Sequence, residues 1–158
     1  MKHLISALVE NKPGVLVRVA GLFSRRGFNI DSLSVGPTQD ESISRMTIVI
    51  DVKEEHSLEQ INKQLHKLIN VIKIQELGTD DSLQRELIMV KVKADAKVRP
   101  EIIEIVDIFR AKIVNVTKDN LMIEVTGTED KLQAIEDLLR PYGILELVRT
   151  GKIALGRG

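Results

Sequence analysis

The chain has 158 residues, 43% of them hydrophobic, enough to bury a core and too many for disorder along its whole length. Its 23 Lys plus Arg balance 23 Asp plus Glu, so no whole-molecule field draws it to nucleic acid or anionic lipid, and any partner must be recognised locally. Cys is absent, which excludes a disulfide scaffold, a thiol nucleophile and a thiolate metal site.

Taken in order, Leu4 to Val9 is a short apolar run bounded by Glu10, Asn11, Pro13 and Gly14, the pattern of a buried strand followed by a turn. Val15, Leu16, Val19, Leu22 and Phe23 then recur at helical spacing, and Gly27 supplies the left-handed residue that ends such a helix. Ile30 to Val35 and Met46 to Val52 read as a hairpin across the polar stretch from Gly36 to Ser44. Ser57-Leu58-Glu59-Gln60 has the form of a capping box and predicts a helix start there, with Leu58, Ile61, Leu65 and Leu68 on one face. Val71 to Leu77 supplies the next strand. The order is βαββαβ, that of a ferredoxin-like sandwich.

Gly78 to Ser82 clusters turn formers and acids, and the same order repeats beyond it. Leu87 to Val92 reads as a strand, and Pro100 suits the first turn of a helix carrying Ile102, Val106 and Phe109. Ile113 to Val116 and Leu121 to Val125 flank a turn at Asp119-Asn120, and Thr128 precedes a helix with Leu132, Ile135 and Leu139. A last strand runs from about Ile144. The expected fold class is therefore α+β, two ferredoxin-like sandwiches over 1–78 and 79–158.

No apolar run approaches the roughly 20 residues of a membrane helix, and Met1-Lys2-His3 leads into only a short apolar stretch, so a cytoplasmic protein without membrane contact is expected. Phe23, Phe28, Phe109 and Tyr142 are too few for a base-stacking surface, and no nucleic-acid partner is expected. His3, His56 and His66 stand in no metal-ligand or triad spacing. Glu101, Glu104 and Asp107 could resemble an acid pair or an oxygen-rich metal site, but they also fit the solvated face opposite Ile102 and Val106. Neither GxGxxG nor a P-loop occurs. The tail Arg149-Thr150-Gly151-Lys152 with Arg157 suits an acidic partner or phosphate, or simply a terminal strand with polar flanks. No catalytic residue and no metal ligand is expected, and an enzyme working through the third helix's carboxylates would have to show activity as an isolated chain.

The turn Asn11-Lys12-Pro13-Gly14-Val15-Leu16 is the specific feature that remains. Gly14 lets a ligand approach the main chain, and the N–H groups of Gly14, Val15 and Leu16 lead out of a helix N-terminus that favours a carboxylate. Asn11 and Asn29 offer neutral amides with donors and acceptors, and Val15, Leu16, Ile30 and Val35 offer apolar surface for a branched side chain. Together they suit a free amino acid, although spacing alone leaves an ordinary strand-to-helix turn equally open.

The string Asn11 to Val19, continuing through Leu22 to Leu33, resembles the ACT-domain signature of the small regulatory subunit of acetolactate synthase, also called acetohydroxyacid synthase. Ser44 to Ile48, Glu59 to Leu68, Arg85-Glu86-Leu87 and Arg149 to Leu155 are also similar to that family, so the resemblance spans the chain. It implies an ACT domain over 1–78 and a C-terminal ferredoxin-like domain over 79–158. It further implies a subunit without catalysis or cofactor of its own that activates a large catalytic subunit and makes it sensitive to valine. Thiamine diphosphate, Mg and FAD would belong to that catalytic subunit, which condenses pyruvate with pyruvate or 2-oxobutyrate in branched-chain amino-acid synthesis. Two ACT domains of the family pair side by side as a homodimer with one eight-stranded sheet. Asn11, Gly14, Val15 and Leu16 of one chain would then hold valine with Asn29 and Ile30 of its neighbour. Val17 stands where some members carry a serine, removing one possible hydroxyl contact. The alternative is an ACT-type amino-acid sensor serving a different enzyme or regulator.

Overall fold

The computed structural model describes residues 1–158. The chain forms two compact units, Met1–Gln84 together with Lys152–Gly158, and Arg85–Gly151. The expected boundary lay at 78/79 with the tail in the second half; the contacts instead group residues 79–84 and 152–158 with the first unit.

The first unit has strands β1 (Lys2–Glu10), β2 (Ile30–Pro37), β3 (Ile43–Asp51) and β4 (Val71–Leu77), with helices α1 (Val15–Arg25) and α2 (Glu55–His66). Its antiparallel sheet has the order β2-β3-β1-β4, which leaves β2 at an edge. Strand alternation decides which side chains meet the helices. Ile5, Ala7 and Val9 of β1 and Met46, Ile48 and Ile50 of β3 pack with Val15, Val19, Leu22 and Phe23 of α1 and Leu58, Ile61 and Leu65 of α2. Leu4, Val49 and Leu77, on the other face, pack with Ala154 from the tail.

The second unit repeats the plan with β5 (Ser82–Lys93), α3 (Arg99–Ile108), β6 (Lys112–Val116), β7 (Asn120–Gly127), α4 (Glu129–Leu139), a 3₁₀ turn (Arg140–Tyr142) and β8 (Ile144–Arg149). Its sheet runs β6-β7-β5-β8, and a further short strand, β9 (Ile153–Gly156), pairs with β5. Ile88, Val90 and Val92 of β5 and Leu121, Ile123 and Val125 of β7 meet Ile102 and Val106 of α3 and Leu132, Ile135 and Leu139 of α4. Both units are the expected βαββαβ sandwich; β9 is an addition.

Local chemistry places the ends of the elements. Gly27, at φ +75°, closes α1: its N–H donates to Ser24 O at 3.0 Å and the Phe28 N–H to Phe23 O at 3.0 Å. The second unit closes α3 in the same way but with Arg110 at φ +54°, a conformation costly for a residue with a Cβ. The capping box at Ser57 does not form. α2 begins earlier, with extended Glu54 at its N-cap and no side-chain cap bond, and Ser57 lies inside the first turn donating its N–H to Glu54 O at 3.1 Å. Glu54 and Glu55 sit where a helix N-terminus favours acids. No helix is long and apolar enough to cross a membrane.

Candidate functional site

Beyond Glu10 the chain leaves β1 and enters α1 through Asn11, Lys12, Pro13 and Gly14. Gly14 is the N-cap, at φ +86° and ψ −13°, and a Cβ built there would meet nothing within 4 Å. The space in front of the helix is therefore open. No side chain caps this helix and no acid lies in its first turn. The first intrahelical bond runs from the Arg18 N–H to Gly14 O at 3.1 Å, and Val15 N–H makes a long turn bond of 3.4 Å to Lys12 O. The N–H groups of Leu16 and Val17 find no acceptor in the chain, so the positive end of the α1 dipole faces solvent through them.

The surroundings hold this turn in place. Asn11 donates its backbone N–H to Ser42 O at 2.8 Å and its side-chain Nδ2 to Glu41 O at 2.8 Å, tying the turn to the β2–β3 loop. That loop is organised by Asp40, whose carboxylate accepts from the Ser42 hydroxyl at 2.7 Å and the Ser42 N–H at 3.0 Å. These two donors hold the Asp40 carboxyl below the usual range. Lys12 pairs with Glu10 at 2.7 Å and holds the Glu10 carboxyl low, with a smaller contribution from Asn70. Arg18 donates to Asn70 Oδ1 at 2.6 Å. One Asn11 donor is thus committed to structure, and its side-chain oxygen remains as an acceptor at the turn.

The expected site residues fall into two sets. Asn11, Gly14, Val15 and Leu16 come together at the start of α1. Leu16 is exposed, but the Val15 side chain is buried in the core and offers a ligand only its main chain. Asn29 and Ile30 lie past the other end of the same helix, at the start of edge strand β2. Asn29 donates Nδ2 to Asp31 Oδ1 at 3.0 Å, and Ile30 is half-buried against the core. One chain does not bring the two sets together. Val17, at 73% exposure, and Val35, at 47%, add apolar surface beside the first turn and along the β2 edge.

Two grooves lie elsewhere. One of about 360 Å³ is lined by Arg26, Gln60, Lys63, Gln64, His66 and Lys67, and another of about 250 Å³ by Met89, Lys91, Met122, Glu146, Leu147 and Val148. In the acid row of α3, Glu101 Oε2 accepts from the Tyr142 hydroxyl at 2.9 Å, which raises the phenol's pKa. No group of three or more His, Asp or Glu is arranged to hold a metal ion. The basic tail is engaged internally: Arg149 pairs with Glu136 at 2.5 Å, and Arg157 Nε donates to Asp80 O at 3.1 Å. Sequence reasoning did not find the Asn11–Glu41 tie, the Asp40 loop or β9; Thr38 and Asp40 were the only visible hint of an ordered loop.

Known proteins resemble this chain over its whole length. Residues 5–73 match the family model described as AHAS small subunit-like ACT domain, and residues 85–158 match that of the small subunit of acetolactate synthase. A probable acetolactate synthase small subunit from Archaeoglobus fulgidus is 57% identical over 158 residues, 100% of this chain and 98% of its own. The acetolactate synthase small subunit of Mycolicibacterium smegmatis is 57% identical over 156 residues, 99% of this chain and 91% of its own. The crystal structure of the acetolactate synthase small subunit from Thermotoga maritima superposes with a TM-score of 0.92 at 39% identity, covering 100% of this chain and 98% of that one.

Proposed function

The chain belongs to the acetolactate synthase small-subunit family, and from that premise we propose that it activates a large thiamine-diphosphate catalytic subunit and confers feedback inhibition by valine. It does no chemistry itself. Thiamine diphosphate, Mg and FAD belong, in this reading, to the catalytic subunit, and this chain's residues hold only the effector.

The observation that carries the reading is the uncapped start of α1. Two unpaired N–H groups, Leu16 and Val17, open space at Gly14, and no acid in the first turn suit the carboxylate of an amino acid. The Asn11 side-chain oxygen offers an acceptor for the ammonium. Exposed Leu16 and Val17 offer contact to a branched side chain.

The other half of the pocket comes from a second chain. Two four-stranded sheets join into eight strands only through an edge, and pairing along β2 carries Asn29 and Ile30 onto the neighbouring protomer. A pocket completed by the neighbour links occupancy to how the two protomers pair, and through that pairing to the catalytic subunit. Coupling of this kind is typically about 1–3 kcal/mol, enough for a several-fold change in activity.

Reconstitution tests it. The chain should co-purify with the catalytic subunit, raise its acetolactate-forming activity, and make it inhibitable by valine. A thermal-shift panel of the twenty amino acids should raise the midpoint most for valine, leucine or isoleucine, because a ligand that binds the folded state stabilises it. Absence of both effects rules the reading out.

A further inference from the structure

The last seven residues cross the face of the first unit's sheet that the helices leave bare. The Lys152 backbone N–H donates to Ser32 Oγ on edge strand β2 at 2.9 Å. Ala154, 5% exposed, packs among Leu4, Val49 and Leu77 of β1, β3 and β4. Gly156 lies against Gln75 and Leu77 of β4. The Arg157 N–H and Nε donate to Asp81 O at 2.9 Å and Asp80 O at 3.1 Å. The segment is thus a strap running from the β2 edge to the turn after β4, held by hydrogen bonds at both ends and, between them, by the pairing of β9 with β5 and an apolar contact.

Its first anchor falls at an irregular place. β2 shifts register against β3 between Ile30, opposite Ile50, and Ser32, opposite Val49. A bulge bends and twists its strand and aims the side chains beside it. Ser32 closes this bulge, and Asn29 and Ile30 lie on its far side. An edge strand has sheet bonds on one side only, so the Lys152–Ser32 bond adds a restraint on the open side of β2 to the packing of Ile30 and Leu33 on the core and the Lys2–Asp31 ion pair.

We propose that the strap sets the orientation of the Asn29–Ile30 half of the amino-acid pocket through Ser32, so that strap docking and ligand binding reinforce each other. The inference rests on the amino-acid reading above and adds a positioning residue to it. Because coupling between two events is reciprocal, a ligand that needs the docked strap also holds it down.

The full-length chain is the sample, with valine as the probe. Calorimetry should give Ser32→Ala a valine Kd raised about threefold to tenfold, the effect of losing one hydrogen bond. Ser32→Thr, which keeps the hydroxyl, should bind within about twofold of the wild type. Ala154→Asp, which puts a carboxylate among Leu4, Val49 and Leu77, should weaken binding without altering β2. In the wild type, saturating valine should slow amide exchange at Ile153–Gly156 several-fold, and in Ser32→Ala it should not. Wild-type affinity in both Ser32→Ala and Ala154→Asp, or strap exchange indifferent to valine, overturns the strap's role and leaves the amino-acid reading standing. A wild-type chain that binds no branched-chain amino acid overturns that reading, and the strap's role with it. If Ala154→Asp does not fold, Ser32→Ala and the exchange measurement decide alone.

Discussion

Gly14 and Asn29 stand at opposite ends of one helix, α1, whose eleven residues separate them by about 16 Å. A small amino acid cannot touch both within a single chain. The proposed site, which joins the two, therefore takes a pair of chains, and it permits a complementation experiment.

Gly14→Asp should abolish valine inhibition of the reconstituted enzyme while leaving activation mostly intact. The open space at Gly14 receives the new carboxylate where the ligand's own would lie. The expected rise in half-inhibitory valine is at least about tenfold, equivalent to about 1.4 kcal/mol. Gly14→Ala serves as the control, because it carries the same strain of a positive φ without the charge.

Asn29→Ala should weaken valine binding about threefold to tenfold, the effect of one lost polar contact. Mixing Asn29→Ala chains with Gly14→Asp chains puts both lesions into one pocket of the mixed dimer and leaves the other intact. Calorimetry on the mixture should then recover a fraction of sites with wild-type affinity. Recovery of none would show that the two residues do not share a pocket across chains.

Arg110→Gly should raise stability by up to about 1 kcal/mol, or about 2–4 °C in Tm for a chain of this size. Arg110 occupies the left-handed position that Gly27 fills in the first unit, and its side chain is exposed. A calorimetric scan of the variant checks it; an unchanged or lower Tm would mean that the Arg110 side chain contributes more than its backbone conformation costs.

Acid should loosen the β2–β3 loop before the core. The Asp40 carboxyl is held low in the folded chain by the Ser42 hydroxyl and then by the Ser42 N–H. Its contribution is therefore complete above the ordinary Asp value of about 3.9 and disappears as pH falls through the lower folded value. The Asn11 side-chain amide resonances, which report on the bond to Glu41 O, should shift in that acidic range. In Asp40→Asn the same titration should be absent.

Much of the fold was legible because its signals are periodic. Val15, Val19, Leu22 and Phe23 mark α1 by spacing alone, and Val71–Leu77 reads as a strand with the bounds it has in the structure. The misplaced start of α2 shows the limit of a local motif. Ser57 and Gln60 have capping-box identities, but the helix already starts at Glu55, with Glu54 as its N-cap, close behind the end of β3 at Asp51. At the candidate site, Gly14 and the neutral Asn11 were readable, since residue type limits what a turn can do. The division of Asn11 between a structural bond to Glu41 and a free oxygen depends on a loop 30 positions away, and no spacing rule reaches that far. Ala154 was equally hidden, because a four-residue strand carries too little pattern to show which sheet it covers.

A protein is made from its amino end, and the first unit's sheet, with all four strands and both helices in the opening 77 residues, can assemble early in synthesis. Yet Ala154, which covers Leu4, Val49 and Leu77, lies far beyond that sheet in the chain and is made only after the whole second unit. The nascent chain therefore carries a bare apolar face until Ala154 has been made, and a chain cut before Lys152 would be a folded but sticky product.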